Sequence, residues 1–343
     1  MGLDKAMLEL NVNARSPGAI TTALKKVKEM TAAETIAKES PVHLVLEPGV
    51  YRETVRYNIS NPLVMESAAG TKAEDCVLQV DNCEAYNRGQ QKRAVFFIGS
   101  NATSVTLKNF TICNSHQKGG SLLYSPANCA EALVWSNVSG TLFCENMRVE
   151  GRQNALFVKG FSWFLNSHFV GDVDFICGEP DTSLFENCTV EAIEDNRGDG
   201  YISFAVNSST LAHKSGFIFS DCSFVATGRK AGSVFACRTE GKGKPSAKKN
   251  WDSAAFVNCT FSDVYNADFL FDDDMNLEVF PRGNATCGIR EYGSKTASST
   301  GELLPADSRR NVKIYTLTED DYFKGYASRY LILHDTPFAQ TLR

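Results

Sequence analysis

The chain has 343 residues, 43% hydrophobic and 22% charged, with a formal net charge of −5. That balance fits a soluble globular protein and excludes collagenous, low-complexity and strongly basic nucleic-acid-binding classes. No apolar run approaches the ~18 residues of a membrane-spanning helix, so neither nucleic acid nor membrane is expected as a partner.

In chain order, Met1 to Asn11 lacks the basic and apolar regions of a secretory leader. The expected compartment is the cytoplasm, or the exterior if a leader was removed. Ser16-Pro17, followed by apolar Ile20, Ala23, Leu24 and Val27 on one face, predicts a helix over about 16–30. Ser16 would be its N-cap and Pro17 its first residue. Such a helix would close the open end of a solenoid, whose terminal coil must hide its core.

A repeat then dominates. Leu107–Ile112, Phe143–Val149, Phe164–Phe169, Leu184–Val190, Phe217–Phe224 and Phe256–Phe261 each read as a short apolar strand, a polar Asn or Asp, and a second apolar strand. A small Cys or Ser follows the polar residue in most of them. Asn tolerates the left-handed conformation that bends a chain between strands, and stacked Asn side chains can bond in a ladder. From Asn146 through Asn166, Asn187 and Asp221 to Asn258 the spacings are 20, 21, 34 and 37 residues. These are single coils, the longer two carrying loops, and they predict an all-β parallel β-helix. A sandwich would need many tight hairpins, and Asp199-Gly200 is the one clear turn of that kind. The repeat fades from Gly288, so the segment 288–343 is expected to pack along the outside or cap the far end. With no linker in view, residues 1–343 read as a single domain.

The eleven cysteines are an odd number without metal-site spacing, and free thiols in a reducing compartment are the simpler account. The Asn-X-Thr triplets at Asn101 and Asn258 read as parts of the strand pattern more than as glycosylation sites.

Gly171-Asp172-Val173-Asp174-Phe175-Ile176-Cys177-Gly178 sets two carboxylates at i and i+2, on one face if extended. An anonymous pair of this kind is usually a solvated surface feature. Gln153 stands 21 residues upstream, so one coil would put it almost directly beneath Asp174.

These segments resemble the pectin methylesterases, carbohydrate esterase family 8. Gly49-Val50-Tyr51-Arg52-Glu53 is similar to the family's Gly-X-Tyr-X-Glu, and Cys129-Ala130-Glu131-Ala132-Leu133 lies where it has Gln-Ala-Val-Ala-Leu. Gln153-Asn154-Ala155-Leu156 lies at Gln-Asp-Thr-Leu, and Asp174-Phe175-Ile176-Cys177-Gly178 resembles Asp-Phe-Ile-Phe-Gly. Cys237-Arg238 sits at Gly-Arg-Pro-Trp, and Glu291-Tyr292-Gly293 at a late Glu-Tyr-Gly. Order and spacing agree from about residue 8 to 330. The resemblance implies a right-handed parallel β-helix of the pectin-lyase-like kind and an esterase for methyl-esterified galacturonan or its oligomers. Asp174 would be the nucleophile, Gln153 an oxyanion donor and Arg238 the cation holding Asp174 ionised. No metal or organic cofactor is implied, and a monomer is expected.

Departures accompany the matches. Asn154 stands where the family has its general acid/base Asp, and an amide cannot carry that proton. Cys129 replaces a Gln of the oxyanion site, and Thr239 and Glu240 replace the Pro-Trp of the sugar platform. Asn154 has three readings: an introduced substitution that traps substrate, a natural protein that binds polyuronate without turnover, or transfer of the role to Asp172. An esterase for another ester, acetyl or thioester, is a further alternative. Phe157, Phe175, Trp163 and Trp251 are candidate substrate contacts beside Cys129, each equally readable as core. Lys242, Lys244, Lys248 and Lys249 read as a solvated loop, and Asp272-Asp273-Asp274 as a solvated turn. His116, His168 and His213 show no triad pattern.

Overall fold

A computed structural model describes residues 7–119, 125–194, 214–229, 234, 236, 253–265, 284–298, 300–305 and 314–342. Among these, the strands form one sheet of fourteen and one of ten. Neighbouring coils pair in parallel, and the antiparallel pair, Lys295–Ala297 with Leu303–Pro305, lies at the far end. The chain is wound as a parallel β-helix, as the repeat predicts, and right-handed, as the resemblance implies.

The register explains the spacing. Glu145 pairs with Leu165, Leu165 with Glu186, Glu186 with Ser220 and Ser220 with Val257. The next residue in each case is Asn146, Asn166, Asn187, Asp221 or Asn258, with φ from 50° to 55°. There the chain bends from the larger sheet to the smaller. Side-chain amides link the bends: Asn146 Nδ2 donates to Asn109 Oδ1 at 2.5 Å and Asn187 Nδ2 to Asn166 Oδ1 at 2.7 Å. The following residue turns inward. Ser167, Cys188, Cys222 and Cys259 are all buried, and the Cys222 and Cys259 thiols donate to Phe185 O and Phe219 O of the preceding coils. All ten cysteines among the described residues are free.

Inside, Phe164, Phe185, Phe219 and Phe256 stack coil upon coil, with centroids 4.7, 4.6 and 5.5 Å apart. Each such ring contributes ~1.5–3 kcal/mol by leaving water. One hydrophobic cluster runs from Val12 to Ile314.

Both ends differ in detail from expectation. The N-terminal helix spans Ala19–Ala32, with Gly18 at φ 66° before it. Ile20, Leu24 and Val27 are buried as expected. Ser16 is not the cap: the Glu53 carboxylate accepts from Ile20 N at 3.0 Å and Thr21 N at 2.8 Å. A charge from 33 residues away satisfies donors that a local hydroxyl was expected to satisfy. At the other end the repeat continues past Gly288. Ile289–Tyr292 pairs with Ala254–Val257, and Lys295–Ala297 with Thr260–Phe261. Gly293, at φ 66°, takes the bend and Ser294 the small inward seat. Glycine adopts this backbone without an Asn side chain, which hid the coil from the sequence pattern. The helices Glu319–Gly325 and Arg329–Leu333 then lie outside the larger sheet, where Tyr326, Leu333 and Phe338 cover Leu184 and Ile218.

Candidate active site

The segments Gly151–Ala155 and Gly171–Phe175 are one turn made twice, in adjacent coils. Gln153 and Val173 form a parallel bridge, and the pairing continues as Leu156 with Ile176. Asn154 and Asp174 therefore occupy the same seat one coil apart, and both are left-handed, at φ 60° and 46°. Gln153 lies beneath Val173, not beneath Asp174. The coil measures 20 residues here, and the twenty-first enters at the irregularity between Gly160 and Phe161. Gly171 is required by space, since a Cβ there would stand 2.2 Å from Phe175 Cβ and 2.8 Å from Gly151 O.

The turn is sheltered. Asp174 is 2% exposed, Gln153 fully buried and Cys129 8% exposed. Gln153 Nε2 donates to Ser125 O at 2.9 Å and contacts Cys129 Sγ at 3.4 Å, while its Oε1 is buried without a partner. Asn154 Nδ2 contacts Cys177 Sγ at 3.2 Å, and its Oδ1 is likewise an orphan. Two buried carbonyl oxygens without donors are uncommon in native interiors, and here they belong to successive residues. Burial holds the Cys177 thiol well above the usual range, so it is not a nucleophile.

Asp172 is 1% exposed and paired with Lys118, whose Nζ lies 2.7 Å from its Oδ1; Arg152 Nη1 stands 3.9 Å from Oδ2. Phe157 is half-buried on the outward side of its strand, with Lys159 Nζ 5.9 Å from its ring centroid. It remains in the site's neighbourhood, paired with Cys177. Two candidate contacts do not. Phe175 is 1% exposed and belongs to the main core, because the residue after the bend turns inward. Trp163 packs outside the larger sheet on Phe143 and Phe338, under Arg329, with Nε1 donating to Glu186. The C-terminal segment covers it, so it does not flank the cleft. Arg238, Thr239, Trp251, His213, the lysine stretch and Asp272-Asp273-Asp274 lie outside the described residues.

The family model for pectinesterases matches residues 17–268. The chain belongs to the pectinesterase family. Among solved structures it is similar to pectin methylesterase PemA from Erwinia chrysanthemi, at 17% identity and a TM-score of 0.64 over 90% of this chain and 92% of that one. The pectin methylesterase from Yersinia enterocolitica shows 18% identity and a TM-score of 0.62 over 90% and 98%. A pectin methylesterase in complex with a hexasaccharide shows 17% identity and 0.62 over 90% and 92%. A probable pectinesterase/pectinesterase inhibitor of Arabidopsis thaliana is 36% identical over 81 residues, 23% of this chain and 15% of that protein.

Within a pectinesterase frame, the Gly-X-Tyr-X-Glu resemblance is structural here. Tyr51 Oη donates to Val12 O and Glu47 O, and Glu53 caps the first helix. Two charged groups escaped the sequence reading. Lys118 is one. The other is Glu131, which the coil register aligns with Asn154 and Asp174. Arg93 holds it from Nε at 2.6 Å and Nη2 at 2.5 Å, Gln90 adds a bond at 3.2 Å, and Arg93 also pairs with Glu84. Burial works against the Arg93 charge, but the two glutamates outweigh it and hold the guanidinium more firmly protonated than usual. Glu131 had a signal, since it stands where the family pattern has Val.

Proposed function

We propose that this pectinesterase-family chain hydrolyses methyl esters of galacturonan or oligogalacturonides, with Asp174 as nucleophile. The observation that carries the reading is the doubled turn, which holds Asp174 left-handed and sheltered one coil above the Gln153–Asn154 pair. In such a site the carboxylate attacks the ester carbonyl, methanol leaves, and water releases the acyl group from Asp174. Gln153 Nε2 has two hydrogens: one bonds Ser125 O, and the second, which faces only the weak acceptor Cys129 Sγ, is the donor that can stabilise the oxyanion. Its orphaned Oε1 and the Oδ1 of Asn154 can accept from substrate hydroxyls or water.

The test is methanol release from methyl-esterified pectin. The wild type is expected to release it, and Asp174→Ala to lose at least ~10³-fold in rate, as nucleophile deletions do. Equal rates in both would contradict the assignment. A second reading, binding without turnover, is favoured by Asn154, whose amide contacts Cys177 and carries no transferable proton. Oligogalacturonide binding with no methanol release would support it.

A further inference from the structure

The esterase reading leaves one role empty, because the alkoxide must leave with a proton and Asn154 has none to give. That role exists only if the esterase reading holds. Among the described residues, Glu131 is held from two sides by Arg93, and Asp172 is the acceptor of an ion pair. The partner of Asp172 is a proton-bearing group at the site, and nothing in the family resemblance gives it a part.

We propose that Lys118 is the proton carrier of this site. Its position follows from three sets of bonds. Gly119 N donates to Asn128 Oδ1 at 3.2 Å, Asn128 Nδ2 donates back to Gly119 O at 3.1 Å, and Asn114 Nδ2 donates to Glu131 O at 3.1 Å. The Lys118 backbone is thereby pinned to the coil that carries Cys129. Ala130 N bonds Gln153 O at 3.1 Å, joining that coil to the next, and Asp172 N bonds Arg152 O at 3.0 Å, joining that one to the third. Neighbouring strands are ~4.8 Å apart. To reach Asp172, which the register sets over Arg152, the Lys118 side chain must therefore span the coil that carries Arg152, Gln153 and Asn154. It ends two residues from the nucleophile, with its side chain 4% exposed and that of Asp172 1%. Burying such a pair costs desolvation that its attraction often fails to repay, so a functional use accounts for its presence in the turn.

The chemistry balances. An Asp174 oxygen bonds to the ester carbonyl carbon, and the bond from that carbon to methoxide breaks. Lys118 gives its proton to the methoxide oxygen, methanol leaves, and a neutral amine remains beside Asp172. Water then attacks the acyl carbon, the amine takes one water proton, and the bond to Asp174 breaks. The uronic acid formed loses its own proton to solvent.

Methanol release from methyl-esterified pectin by five proteins tests this: wild type, Lys118→Met, Lys118→Arg, Asn154→Asp, and Asn154→Asp with Lys118→Met. General acid–base help is worth ~10²–10⁴-fold. Lys118→Met and Lys118→Arg should each lose at least ~100-fold. Arginine keeps the charge and the pairing with Asp172 but does not release its proton, so it separates proton transfer from packing; its thermal unfolding should match the wild type. Asn154→Asp should gain less than ~10-fold, and in the Asn154→Asp background Lys118→Met should cost less than ~10-fold. The proposal is overturned by wild-type rates in either Lys118 variant, by an equal loss in the two backgrounds, or by a gain of ~100-fold or more from Asn154→Asp. Methanol from Asn154→Asp but none from the wild type overturns the role of Lys118 alone. Methanol from neither overturns the esterase reading with it.

Discussion

The bends at Asn146, Asn166 and Asn187 and the bends at Asn154 and Asp174 share one left-handed backbone, yet they are finished in opposite ways. The first set is exposed, and its amides bond between coils, Asn146 to Asn109 and Asn187 to Asn166. The second is sheltered, and the amide of Asn154 turns its oxygen to no donor. At Asn146 and Asn187 the side chain bonds the bend of the coil before it. At Asn154 an acceptor is left without a donor from the chain. Sites of this kind are expected to be held together by the surrounding structure at some expense of stability.

That contrast can be strained at the core first. Phe219→Ala removes the ring stacked between Phe185 and Phe256 and should lower unfolding stability by ~3–5 kcal/mol, read from denaturant midpoints. A loss below ~1 kcal/mol would mean the stack is not what holds the coils. The ladder comes next. Asn187→Ala loses the bond to Asn166 and forces alanine into the left-handed region, with an expected cost of ~1–2 kcal/mol. Asn187→Gly should cost clearly less, because glycine accepts that backbone. Equal costs for the two would show that the bend is not strained and that the bond alone matters.

The winding was legible because its rule is local. An Asn that can be left-handed, followed by a small residue, recurs wherever the chain passes from one sheet to the other. The rule failed at Gly293, where glycine needs no amide to make the bend. The site was legible as a set of segments but not in its alignment. A single extra residue near Gly160 shifts Gln153 from Asp174 to Val173, and no local pattern reveals on which side of the turn that residue enters. Phe175 and Trp163 were misplaced for a related reason: aromatic residues beside a cleft and beneath one have the same composition. Lys118 was invisible because its partner, Asp172, is brought near by the stacking of three coils and by no motif. The N-cap was misjudged because Glu53 arrives from a different coil.

The central claim is that the doubled turn is built for reaction and not for winding. Asp174→Gly tests it directly, with methanol release and the unfolding midpoint measured on the same preparation. Glycine fits φ 46° at no steric cost, so the midpoint should hold or rise while the rate falls by at least ~10³-fold. A variant that keeps its rate, or that loses rate only because it unfolds, would contradict the account.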